Sequence, residues 1–168
     1  MAHGMVRTDN MLGTIEGSYL VSFKYEPSNV ATAIDNGNFC VPGALKTGER
    51  EVRTAATPAV DSALDSLVLV ASEEVDKSKK YTSPADFQNA AGAVCRGYRL
   101  HKHDIFSLTA DAFSNTGSIT PTVGTSLLEA KANAKADLVN SLTSGSTQIA
   151  KLIAIEMQGA TKWFVFEV

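Results

Sequence analysis

Three neighbouring residues have the types and spacing of a metal site: His101, His103 and Asp104. Side chains two apart in a strand point the same way, so two imidazoles could meet one ion while the carboxylate adds an oxygen. Lys102 sits between the histidines and no second ligand cluster follows, so a solvated polar corner is the simpler reading. Cys95 lies near His101, but no partner carboxamide or nucleophile elbow accompanies it, and the thiol reads as structural. Gly43 and Gly48 have the outer glycine spacing of a phosphate loop. Glu49-Arg50 stands where lysine and a hydroxyl are needed, and an acid there would repel phosphate. No Gly-x-Ser-x-Gly, His-Glu-x-x-His or Cys-x-x-Cys string occurs, and the carboxylates are scattered over polar faces. The expectation is a non-enzyme with no cofactor and no metal.

The elements around the corner are the best patterned of the chain. In residues 94–113, Tyr98 and Leu100 share a face before it, and Phe106, Leu108, Ala110 and Ala112 alternate with Ser107, Thr109 and Asp111 after it. Period two predicts two half-buried strands. Upstream, Ser83 as N-cap, Pro84 at the first helical position, Asp86 in the first turn and Phe87, Ala90 and Ala91 at helical spacing predict one short helix, ended by Gly92 and Gly97.

Residues 18–25 place Tyr19, Val21, Phe23 and Tyr25 on one side, which predicts a strand broken by Pro27. Phe39-Cys40-Val41 reads as a short strand between a turn at 35–38 and another at Pro42-Gly43, with a further strand over 51–56. Leu67-Val68-Leu69-Val70-Ala71 is a continuous apolar run of strand formers, predicting a buried strand, while 59–66 fits a short helix or a loop. Residues 73–81 are charged and read as a solvated loop or helix end. In 129–137, four alanines alternate strictly with polar residues; a helix would show no face larger than alanine, so a hairpin around Asn133 is expected. Residues 148–157 and the closing Trp163-Phe164-Val165-Phe166 supply the remaining apolar segments, and the last must be paired and covered.

The chain has 168 residues, 15 basic and 18 acidic, and a net charge of −3. That length allows one domain burying about two-thirds of its unfolded surface. There is no electrostatic footprint for a nucleic-acid backbone or an anionic membrane. The N-terminus lacks the apolar core of a signal peptide and no run suffices for a membrane span, which predicts a product made in the cytosol. Cys40 and Cys95 are far apart in sequence and read as two free, half-buried thiols. The fold expected is mainly β: a small barrel or sandwich with one or two short helices, a single domain over 18–168 and an extended N-terminal arm over 1–17. The arm has no core of its own. It is either a frayed end or a segment that orders on another subunit through Met5, Val6, Arg7, Met11 and Leu12, since Met11-Leu12 would otherwise be apolar surface in water.

Arg96-Gly97-Tyr98-Arg99-Leu100, Asp104-Ile105-Phe106-Ser107-Leu108-Thr109, the Phe87 to Gly92 segment, Leu67-Val68-Leu69-Val70-Ala71-Ser72, Ile153-Ala154-Ile155-Glu156 and Trp163-Phe164-Val165-Phe166 together resemble the head decoration, or cement, proteins of tailed bacteriophages. The likeness spreads over most of the chain. It implies a virion protein on the capsid exterior that binds the expanded head across major-capsid subunits and holds them against packaged DNA. The partners implied are the major capsid protein and further copies of this chain, a trimer among them. A tail or baseplate component is the neighbouring alternative. A carbohydrate-binding β module using Trp163, Tyr19 or Tyr81 is a third, against the plainer reading of those rings as core.

Overall fold

The computed structural model describes residues 3–75 and 83–168. Among them the strands are β1 (Val6–Asn10), β2 (Leu20–Tyr25), β3 (Phe39–Leu45), β4 (Val52–Ala56), β5 (Val68–Val70) and β6 (Cys95–Arg99) in the first half. The second half adds β7 (Ile105–Leu108), β8 (Leu127–Lys131), β9 (Asn133–Val139), β10 (Gln148–Gln158) and β11 (Thr161–Glu167). They form a closed barrel in the order β2-β4-β3-β5-β6 and an open six-stranded sheet in the order β1-β7-β11-β10-β8-β9. The fold is therefore mainly β and built on a small barrel, as the strand count predicts.

Two cores explain the two layers. Val21, Phe23, Tyr25, Cys40, Ala55, Val68, Val70 and Cys95 point into the barrel. Phe39, Leu67, Leu69 and Leu100 point out of it, onto Phe106, Leu108, Leu128, Leu138, Leu152, Phe164 and Phe166 of the sheet. Period two sends Phe39 and Cys40 to opposite cores. It also makes β5 apolar on both faces, which is why Leu67 to Val70 reads as an unbroken run rather than an alternation. Gly97 faces the crowded interior, where an added Cβ would lie 2.9 Å from Val68 Cγ2 and 3.0 Å from Phe23 Cε1.

The corner after β6 carries the chain from one layer to the other. β6 pairs with β2 and β5, whereas β7 pairs with β1 and β11, so the two strands flanking the corner never meet in one sheet. The second strand is also shorter than its alternation suggests. Ala110–Ala112 is a 3₁₀ turn, because Thr109 is captured by the N-terminal segment: its amide donates to Met5 O and its Oγ1 accepts from Met5 N. The expected hairpin exists, with Lys131 opposite Asn133 and its bend at Ala132. β3 continues through Pro42-Gly43 where a turn was expected. Its pairing with β5 covers only Phe39 and Cys40, so the amide that proline lacks has no partner to lose on that side.

The expected helix after Ser83 is corrected to a single 3₁₀ turn over Pro84–Asp86. The cap forms as its residues predict, with Ser83 Oγ accepting from Ala85 N and the Asp86 carboxylate accepting from Ser83 N. Beyond it, Asn89 exchanges two main-chain hydrogen bonds with Ile34 and donates its side-chain amide to Ile34 O and Asn36 Oδ1. Those four bonds hold the chain extended. A helix whose later face is only alanine has too little burial to compete. In the segment 59–66 the regular element is a 3₁₀ turn, Leu64–Ser66.

Candidate functional site

The N-terminal segment is extended, but it lies on the core of its own domain. Gly4 makes the first close approach: a Cβ there would stand 2.6 Å from both Ala112 Cα and Asn36 O, so only glycine lets the backbone lie flat. β1 then joins the sheet with Val6 opposite Leu108 and Arg7 opposite Ser107. Met11 is 0% exposed and belongs to the inter-layer core. A short helix, α1 (Leu12–Ile15), follows, and Leu12 N donates to Asp104 Oδ1 at 2.9 Å. Asp104 is buried, and its other oxygen accepts from His101 N. The polar corner thus serves as a clamp between the N-terminal segment and the layer crossing.

The five residues expected to meet a partner are in different states: Val6 and Arg7 lie on β1, Met5 precedes it, Met11 caps α1 and Leu12 begins it. Met11 is buried within its own chain, a correction to the view that it is apolar surface awaiting a subunit. Arg7 is engaged too: its guanidinium stacks 4.7 Å over the Trp163 ring, donates to Glu156 Oε2 at 3.0 Å and Gln158 Oε1 at 3.1 Å, and reaches Ser107 Oγ. Met5, Val6 and Leu12 are half-buried. What faces outward is the unpaired side of β1, which has β7 as its only strand neighbour among the described residues, and Ile15, at 78% exposure. Ile15 was not singled out from sequence; a lone isoleucine in a polar context carries no pattern.

The other sequence candidates are separated. His101 lies edge-on to Tyr19 with ring centroids 4.3 Å apart. His103, in the left-handed region at φ 73°, places Nδ1 3.2 Å from Glu167 Oε1. The three corner residues thus have three different partners. No metal-binding group of three or more His, Cys, Asp or Glu occurs among the described residues. Residues 43–48 form the end of β3 and the bend into β4, with Lys46 paired to Glu26 and no helix following. Cys40 and Cys95 are both free and fully buried rather than half-buried. Burial, with the nearby Cys95, pushes the Cys40 thiol well up, and burial raises Cys95 to about 11. Neutral thiols inside a barrel make poor nucleophiles.

Of the aromatic residues weighed for sugar stacking, Trp163 is 7% exposed and its ring is covered by Arg7. Tyr19 is half-buried against His101, and Tyr81 lies outside the described residues.

Sequence reasoning also missed a buried ionic cluster on the β8–β9 hairpin. Glu129 is fully buried and accepts from Thr143 N and Thr143 Oγ1, both at 2.8 Å, and from Lys131 Nζ at 3.0 Å. Lys131 also lies 3.5 Å from Asp137, which accepts from Thr116 N. Burial pushes the Glu129 carboxyl up, but the Thr143 and Lys131 hydrogen bonds and the Lys131 charge outweigh it and hold it below the usual range. Every oxygen is partnered within the chain, the arrangement of a structural pin. Glu129 and Asp137 face each other across the strands, a signal visible only once the hairpin register is known.

No protein-family model matches this chain, and no curated protein and no solved structure is significantly similar to it. No helix among the described residues is long and apolar enough to cross a membrane.

Proposed function

We propose that this protein is a capsid decoration protein of a tailed bacteriophage, binding the outer surface of the expanded head and bracing major-capsid subunits. The observation that carries the reading is the N-terminal edge. Closure of the barrel removes free edges from that layer, so the open edges of the described strands are β1 and β9. β1 is anchored by Gly4, Met11 and the Asp104 clamp and leaves its outer main-chain groups unpaired among the described residues, and Ile15 at the end of the following α1 is exposed. A rigidly held edge is suited to strand addition by a neighbouring subunit, where main-chain hydrogen bonds supply affinity. Repetition over a symmetric shell multiplies such modest contacts.

What supports the reading is this combination of a closed barrel and an anchored open edge. A head-stability assay tests it. DNA-filled heads assembled without the protein are heated with and without purified protein, and DNA release is followed by dye fluorescence. The reading expects release to move to higher temperature as protein is added, with Ile15→Glu less effective. Identical release curves at saturating protein would overturn it. Recovery of the protein in the tail fraction would favour the tail or baseplate alternative.

A further inference from the structure

We propose that the open mouth of the barrel is a carboxylate-binding cleft that takes an acidic peptide segment of a partner protein. The register places two arginines where the barrel pattern calls for core residues. Along β4, Ala55 points inward and Arg53 is the next residue on that face, opposite Phe23 of β2. Along β6 the inward row is Cys95, Gly97 and Arg99, with Arg99 opposite Val68 of β5. Both rows end in a guanidinium at the same end of the barrel. Arg50, from the bend before β4, joins them in one cleft of about 520 Å³, with Glu51, Ser22 and Leu45 in its lining.

The charge of this cleft is uncompensated. Elsewhere Arg7, Lys46, Arg96 and Lys131 each sit against a carboxylate. In the mouth, three guanidiniums share the space with the single carboxylate of Glu51, and no ion pair joins them. Arg53 donates to Gly43 O at 2.8 Å, which anchors its fork at the rim. The side chains of Arg50 and Arg99 have no hydrogen-bond or ion-pair partner among the described residues. Barrel mouths are a common place for ligands, and the arginine fork matches a carboxylate or phosphate bidentately.

The surroundings favour a peptide over a free anion or a nucleic acid. Leu45, 50% exposed, stands on the rim, where it offers contact to an apolar side chain next to an acidic one. Inorganic phosphate would leave it unused. A nucleic-acid backbone needs an extended basic stripe, and a cleft with three arginines on a chain of net charge −3 does not supply one. The proposal does not depend on the capsid reading, and its test contains no capsid.

The test is fluorescence anisotropy on the full chain with a labelled pentapeptide holding two glutamates and a leucine, beside the same peptide with glutamines, and a separate calorimetric titration with inorganic phosphate. The expected result is saturable binding of the acidic peptide, weakened by salt and absent for the glutamine peptide. Arg99→Gln should weaken binding about tenfold, the scale of one lost charged hydrogen bond. Circular dichroism checks that this variant folds. Arg50→Gln, in an exposed bend, carries the same expectation where it does not, and Lys151→Gln on the distant β10 should change nothing. No saturable binding, equal binding by both arginine variants and the parent, or binding of phosphate alone would each overturn the proposal.

Discussion

Replacing Gly97 by alanine tests the barrel packing at its tightest point. The new Cβ would stand 2.9 Å from Val68 Cγ2, 3.0 Å from Phe23 Cε1 and 3.1 Å from Val68 Cβ. Both neighbours are fully buried, and a β-branched valine has little χ1 freedom with which to retreat. Overpacking of this kind costs about 1–3 kcal/mol. The loss of unfolded-chain entropy on Gly→Ala returns about 0.4–1 kcal/mol. The net expectation is about 1–2 kcal/mol of destabilisation, or a Tm lower by about 2–8 °C for a chain of this size. Urea unfolding of Gly97→Ala, Val68→Ala and the double variant is the assay. The second substitution removes the methyl groups nearest the clash, so the double variant should be more stable than the sum of the singles by about 1 kcal/mol. A neutral or stabilising Gly97→Ala, or strict additivity, would refute a closed barrel with Gly97 against Val68.

Met11→Ala should cost about 2–5 kcal/mol in urea unfolding, as for a fully buried core methionine, whereas Ile15→Glu should stay within about 0.5 kcal/mol. Equal small effects would mean that the N-terminal segment is not part of the folded core. Glu129→Gln tests the hairpin pin through its pH dependence. The folded-state pKa is held below the ordinary 4.5, so its stabilisation is full above that pH and is lost as pH falls through the folded value. The variant should be less stable at neutral pH by about 1–3 kcal/mol, and the gap should close in acid. A gap independent of pH would argue against the Lys131 and Thr143 contacts. Cys40 and Cys95 should react with an aromatic disulfide reagent at neutral pH only after denaturant is added; fast labelling of the native chain would contradict their burial.

Much of the strand layout is written in period two. Val21, Phe23 and Tyr25 announce β2, the alternating alanines announce the β8–β9 hairpin, and the apolar run before Ala71 announces a strand covered on both faces. What period two cannot state is which strands share a sheet. The corner at 101–104 looks like a hairpin bend locally and is a crossing between layers, decided by long-range pairing with β1, β2 and β11. The same limit hid the barrel mouth. Arg99 follows Cys95 and Gly97 on one face in plain sight, but only closure shows that this face is the interior and that Arg53 meets it there.

Local signals also lost to distant partners. Ser83, Pro84 and Asp86 start a helix as their types require, and Asn89 then binds Ile34 and Asn36, more than fifty residues away in sequence, and ends it. Met11 looked stranded in a polar, glycine-rich segment because its cover comes from residues far along the chain. How the N-terminal residues are engaged within their own chain was not legible either. Arg7 is occupied by Trp163, Glu156 and Gln158, three residues whose proximity depends on the order of strands in the sheet.

The capsid reading, which assigns the protein to a tailed phage, is tested most directly by co-sedimentation of the purified protein with expanded heads and with unexpanded procapsids of that phage, quantified per particle. The account predicts saturable binding to expanded heads alone, at a stoichiometry matching a set of symmetry sites and reduced for Ile15→Glu. Absence of binding to either particle would contradict it.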